Sequence, residues 1–275
     1  MSGMRRRILL SLALPLLLVA CKTNPHTGRK QLLLFSDKEM NNLGAQAYVE
    51  MTGPQSKVKV VTDPRYLNPL QEVGAAISQA ANKPDYQWEF KLIDDPETIN
   101  AWCLPGGKIA FYTAIYPVLE DTDGMAIVMG HEVMHAILEH GNERMSQSLT
   151  SEIVLAAAAV GFSNHKNGDA IVAALGAGAT VGVLLPYSRK HESEADKQGL
   201  YLAARAGYDP EAAIGVWERM AKLSEGKRPP EFLSTHPDPR ARIENMKKWM
   251  PKAKEYYAAS QKKTNWKLAI PPGVK

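Results

Sequence analysis

The sequence predicts an α+β fold, mostly helical with a small β-sheet. Three observations point there. Apolar residues recur three and four apart over long stretches, Leu67, Leu70, Val73, Ala76 and Ile77 among them. Two short segments read as strands: Trp88, Phe90 and Leu92 alternate with Gln87, Glu89 and Lys91, and Lys108–Tyr112 follows the tight turn Pro105-Gly106-Gly107. Neither an internal repeat nor a heptad run is present.

The chain opens with Arg5, Arg6 and Arg7 before the apolar run Ile8–Ala20, the charge order and length of a secretory signal. Those thirteen residues are too few to cross a hydrocarbon core of roughly 30 Å. The run ends Leu18-Val19-Ala20-Cys21, which resembles the bacterial lipobox. That resemblance implies cleavage before Cys21 and acylation of its thiol and new amino group. Several acyl chains, at about 0.8 kcal/mol per buried CH₂, anchor a protein to a membrane far more firmly than one. Lys22 stands where Asp would imply retention at the inner membrane, so the periplasmic face of a Gram-negative outer membrane is expected. Residues 1–20 are therefore read as leader, 21–33 as a polar tether, 34–250 as the folded domain and 251–275 as a loose tail.

Within the domain, Ser36 and Glu39 have capping-box spacing, which predicts a helix through about Met51. Asp63-Pro64 opens the next helix, and Thr122 is expected to cap one beginning at Asp123. A further helix is expected near Pro239. Ala170–Leu185 is uncharged and rich in Ala and Gly; its sixteen residues read as part of a buried helix pair, with a membrane-inserting hairpin as the rival.

Of 275 residues, 45% are hydrophobic and 23% charged, in the globular range. The formal charge of +4 falls to +1 without the leader's three arginines, which excludes a nucleic-acid footprint. Cys21 and Cys103 are too few for a disulfide framework, and Cys103 reads as a small apolar residue.

The chemistry lies in His131-Glu132-Val133-Met134-His135. Histidines four apart share one helical face, so both imidazoles can reach one ion. Glu132 is offset by about 100° around the helix, beside the ion. A catalytic zinc takes three protein ligands and a water. Gly141 stands where a longer motif would put a third histidine, and His140 points to another side, as a surface or supporting residue. Glu139 and Glu143 read as solvated charges. In Ser188-Arg189-Lys190-His191-Glu192-Ser193-Glu194-Ala195-Asp196, Glu192 and Asp196 face the same way. One of them can ligate the metal and the other can hold a ligating imidazole by a hydrogen bond, or both are charges on an exposed helix start.

The pairing of HEVMH with SRKHESEAD resembles the zinc metallopeptidase family of HtpX and the CAAX-prenyl endopeptidases. The likeness is greater to its short periplasmic lipoproteins (LoiP and the BepA catalytic domain) and mitochondrial Oma-type proteases. It covers roughly residues 33–250 and implies a gluzincin-type domain with one Zn²⁺ per chain. The family's E-x-x-A-D maps onto Glu192 as third ligand and Asp196 as its supporting acid, with Glu194 as the alternative ligand. Asn100-Ala101-Trp102-Cys103-Leu104-Pro105-Gly106-Gly107 looks like the family's N-A-x-x-x-P-G-G, leading into an edge strand. Extended substrate would pair there, along Gly107, Lys108, Ile109 and Ala110 beside Asn100. Ser234-Thr235-His236-Pro237 with Arg242 looks like its S-T-H-P…R element. His236 has three readings: an oxyanion donor supported by Arg242, part of a loop covering the zinc, or a cap on a turn.

The resemblance implies a zinc endopeptidase with Glu132 as general base, acting on unfolded or misassembled envelope polypeptides near the outer-membrane assembly machinery. The rivals are a zinc-stabilised, chaperone-like scaffold lipoprotein that binds clients without cutting, and a latent protease gated by the His236 loop.

Overall fold

The computed structural model describes residues 21–162, 188–225, 230–236 and 239–274. In chain order its elements are β1 (Cys21–Thr23), β2 (Lys30–Leu32), α1 (Asp37–Thr52), α2 (Pro64–Ala81), β3 (Glu89–Ile93), β4 (Ala101–Leu104) and β5 (Lys108–Tyr112). After a single 3-10 turn come α3 (Tyr116–Leu119), α4 (Thr122–Ile137), α5 (His140–Phe162), α6 (Arg189–Arg205), α7 (Ala212–Ser224), α8 (Glu231–Thr235) and α9 (Pro239–Ala259). The expected α+β class with few, short strands is what forms. The leader, Ser163–Asp169 and Ala170–Leu185 lie outside the described residues. No described helix is long and apolar enough to cross a membrane.

The chain divides into two compact units, Met1–Asp37 with Glu139–Leu185, and Lys38–Leu138 with Pro186–Lys275. In the first, residues 21–33 are not loose. They form the antiparallel hairpin β1–β2, with Cys21 exposed at its start. Glu143, expected in solvent, is buried under that hairpin: Arg29 meets both its oxygens at 2.6 Å and Gln31 donates to it at 2.8 Å. His140, expected either at the surface or in a supporting role, is fully buried, which rules out the surface. Helical spacing marks which residues share a face, and the hairpin decides which face is covered.

In the second unit, three strands lie in the order β3-β5-β4. Strand β5 is parallel to β3 and antiparallel to β4, with Ile109 opposite both Phe90 and Cys103. The strand after Gly107 is thus central and not the edge expected for it. Gly106 and Gly107 take φ of +83° and +81°, the left-handed region in which glycine is unstrained, and turn β4 back onto the side of β5 that β3 leaves open. The free edge on that side belongs to Ala101–Leu104.

Every residue of α4 is buried. Its exposed N–H groups are met from two sides. Asp121, one residue before the expected cap, accepts from Gly124 N–H at 3.0 Å, and Thr122 N–H donates to the Trp266 carbonyl. The segment after residue 250 is therefore no loose tail. Helix α9 continues to Ala259, Lys267 bridges to Asp121, and Leu268 is buried.

Helices α4 and α6 cross at two glycines. A Cβ on Gly130 would stand 2.7 Å from the Gly199 carbonyl oxygen, and one on Gly199 would stand 2.7 Å from the His131 amide nitrogen. Backbone must move to relieve either clash, and overpacking of this kind costs about 1–3 kcal/mol. Gly199→Ala is expected to lower Tm by about 5 °C, at about 2–4 °C per kcal/mol, and to weaken metal binding by spreading the two helices. A thermal melt with and without zinc checks both; a variant indistinguishable from wild type in each would refute the close crossing.

Candidate functional site

Helix α4 presents His131 and His135 one turn apart, and α6 brings Glu192 and Asp196 to the same place, also one turn apart. Ser188 starts α6 by accepting from His191 N–H, so Glu192 lies in the first turn, facing α4. The end of α8 delivers His236, and the first turn of α9 delivers Arg242. All seven chemistry-bearing residues of this group, Glu132 included, are buried.

Four donor atoms converge. His135 Nε2 and His236 Nδ1 each lie 3.1 Å from His131 Nε2, and Glu192 Oε1 lies 3.0 Å from His236 Nδ1 and 3.3 Å from His135 Nε2. Among the described residues they form the one group able to hold a metal ion. Ligands about 2.0–2.1 Å from a tetrahedral zinc stand roughly 3.3 Å from each other, so these spacings fit. The charges fit as well. Three buried carboxyl groups (Glu132, Glu192, Asp196) face one buried guanidinium, Arg242, an acidic surplus that a divalent cation suits.

The support around the donors has a clear order. Asp196 Oδ1 is 3.0 Å from His131 Nδ1, which holds the ring with Nε2 turned to the donor cluster. Arg242 donates through Nε to Asp196 Oδ2 at 2.9 Å, and its Nη1 lies 3.2 Å from Glu192 Oε2. Burial alone would raise the Glu192 carboxyl, but the Arg242 guanidinium and hydrogen bonds from His135 and His236 hold it well below the usual carboxylate range. At Asp196, by contrast, burial outweighs Arg242 and raises the group. Glu132 is different. Burial pushes it up to about 7 against the pull of His236, and its Oε1 has no hydrogen-bond partner among the described residues. That oxygen faces His236 Nε2 at 3.5 Å.

Expected residues divide into those gathered here and those elsewhere. His131, Glu132, His135, Glu192, Asp196, His236 and Arg242 are brought together. Glu194 belongs to no described metal-holding group, so Glu192 is the acid in place. Arg242, expected to support His236 beside substrate, is instead buried against the carboxylates of α6. Lys108 is also buried, donating to the Gln87 carbonyl and to Glu89, and Ile109 and Ala110 are buried in the central strand. Substrate pairing along β5 is thereby excluded, because both of its edges are occupied. Asn100 precedes the free edge: its carbonyl accepts from Tyr112 N–H, and its side chain accepts from Ala101 N–H at 2.9 Å.

Sequence reading missed Trp217 and Phe232. The Phe232 ring stacks on His236 at 4.4 Å between centroids, and Trp217 meets His131 edge-on at 6.0 Å. No local pattern marks them, since each reads as an ordinary apolar position of its helix.

Comparison with known proteins agrees with this geometry. The sequence profile of peptidase family M48 matches residues 64–250. The mitochondrial metalloendopeptidase OMA1 of Saccharomyces cerevisiae is 37% identical over 186 residues, 63% of this chain and 50% of the relative. Its namesake in Schizosaccharomyces pombe is 38% identical over 173 residues, 62% of this chain and 48% of the relative. The beta-barrel assembly-enhancing protease of Escherichia coli is 27% identical over 190 residues, 67% and 39% respectively. The chain spans about half the length of the first two of these relatives.

Proposed function

The chain belongs to peptidase family M48, and from that premise we propose that it is a zinc-dependent endopeptidase of unfolded or misassembled envelope proteins. The observation that carries this reading is the convergence of His131, His135 and Glu192 with the unpaired carboxylate oxygen of Glu132 beside them. Zinc, when bound there, supplies a Lewis acid for a peptide carbonyl and lowers the pKa of water from about 15.7 to about 7. Glu132 then takes the proton of the attacking water and delivers it to the leaving amine. Asp196 keeps His131 in the ligating tautomer, and Arg242 keeps Asp196 and Glu192 in place.

Substrate lies extended along β4, the free edge beside α4. The Asn100 carbonyl faces β5, and alternation along the strand then turns the backbone of Ala101 and Cys103 outward. Main-chain pairing is tolerant of sequence, which suits unfolded polypeptide.

The role of His236 is that of a gate. Its Nδ1 occupies the fourth donor position, and a catalytic zinc site needs that position open for water. Substrate cleavage therefore requires His236 to leave that position.

The biological setting rests on sequence alone. Acylation of Cys21, exposed at the start of β1, places the enzyme on the periplasmic face of the outer membrane. There, misassembled membrane proteins and their assembly machinery are its neighbours, a setting consistent with the name of the Escherichia coli relative.

Zinc removal tests the proposal. The leaderless protein is expected to cut casein, to stop after dialysis against a chelator, and to resume when zinc is restored. Zinc at about 1,000 times its dissociation constant is expected to stabilise the fold by about 4 kcal/mol, read as a Tm rise of about 8–16 °C. Cutting that survives complete zinc removal, or a melt that zinc does not move, would refute the assignment.

A further inference from the structure

We propose that Trp217 is a positioning residue for the zinc ligand set, acting through Arg242. This rests on the zinc reading above and adds a residue that no motif contains.

The argument begins with Arg242. One guanidinium serves both acids of α6: Nε and Nη2 grip Asp196, and Nη1 reaches towards Glu192 at 3.2 Å. Asp196 in turn holds His131 Nδ1 at 3.0 Å. Two of the four converging donors are thus oriented from a single planar group. A guanidinium offers its donors in one rigid fork, so the tilt of that plane decides whether the fork meets Asp196 squarely and whether Nη1 can reach Glu192.

Trp217 sets the tilt. The Arg242 Cζ lies 3.4 Å from the Trp217 ring centroid, a close face contact between cation and indole. Both residues are buried, so no solvent competes with it. The same indole meets His131 edge-on, and Arg242 Nη2 lies 3.0 and 3.2 Å from the two ring nitrogens of His131. Helices α7 and α9 together therefore brace a centre whose α4 and α6 donors they do not supply.

The indole nitrogen supplies a second, independent indication. Trp217 Nε1 is buried with no hydrogen-bond partner among the described residues. An aliphatic residue of similar reach would fill the space without an unpaired donor. What it would not provide is a π face for the guanidinium, and Trp has the strongest of the three aromatic faces.

The test compares the full leaderless protein with Trp217→Leu, Trp217→Phe and a control, Phe111→Leu, in the fully buried middle of β5. Zinc affinity is read by chelator competition, and ligand geometry by the visible absorption of the cobalt-substituted proteins. Supporting groups one step from a ligand typically change metal affinity by 10–100-fold. Trp217→Leu is expected to weaken zinc about 10-fold and to alter the cobalt spectrum, while Trp217→Phe restores most of both. Phe111→Leu is expected to lower Tm and leave both unchanged. Combined with Arg242→Lys, Trp217→Leu is expected to add little, because the two act as one unit.

Unchanged affinity and spectrum in Trp217→Leu, equal changes in Phe111→Leu, or fully additive effects with Arg242→Lys would each overturn the proposal. Should Trp217→Leu not fold, Trp217→Met takes its place in every comparison. Wild type that holds no zinc would overturn the zinc reading itself, an outcome distinct from wild type that binds zinc and variants that bind it equally.

Discussion

Glu132→Gln is expected to lose peptide cleavage by about 10²–10⁴-fold while the protein keeps one zinc per chain. Gln has the shape of Glu but no basic oxygen. The carboxylate it replaces is outside the four converging donors, and its Oε1 is unpaired, so the substitution removes a base without removing a ligand. It also removes one of the buried negative charges that zinc offsets, a modest effect on affinity beside the loss of a ligand. Cleavage by wild type and variant, with zinc content determined on both, makes the measurement. Loss of zinc together with activity would mean that Glu132 holds the ion, contrary to the assignment here. Undiminished cleavage would mean another base. A non-cutting variant that fully replaces wild type in a deletion strain would make client binding, not cleavage, the function in the cell.

His236→Ala is expected to raise cleavage, about tenfold, with zinc retained by His131, His135 and Glu192. The prediction follows from the 3.1 Å approach of His236 Nδ1 to His131 Nε2 and its 3.0 Å approach to Glu192. Those distances put the ring among the ligands, where it excludes both water and a peptide carbonyl. Stacking on Phe232 holds it there. The same ring also lies 3.5 Å from the Glu132 oxygen that must accept a proton, so its departure opens space beside the base as well. Initial rates on casein, with zinc measured alongside, decide the matter. A fall in rate at full zinc occupancy would assign His236 to oxyanion stabilisation instead, one of the three roles its motif left open.

Helix boundaries were legible where chemistry is local. Asp63 caps α2 with Pro64 behind it, and Ser188 caps α6, because side-chain oxygen and backbone N–H are only two or three residues apart. The edge strand was misplaced for the opposite reason. Ala101–Leu104 was not read as a strand, and only its pairing on one side of β5, with β3 on the other, makes β5 central. Glu143 was misjudged because a polar hairpin covers it, and hydropathy does not anticipate polar burial satisfied by Arg29 and Gln31.

Sequence spacing therefore determined that His131 and His135 share one helical face with Glu132 offset beside it, and that Glu192 and Asp196 share another, since a 3.6-residue period converts spacing directly into a shared face. Only the family resemblance joined those acids to the histidines. Tertiary structure alone decided that His236 joins the converging donors, that Arg242 meets the acids of α6, that Trp217 lies against it, and that β4 is the free edge among the described strands. Each of those depends on which helix or strand packs on which, and chain segments 25 to 105 residues apart carry no common period to record it.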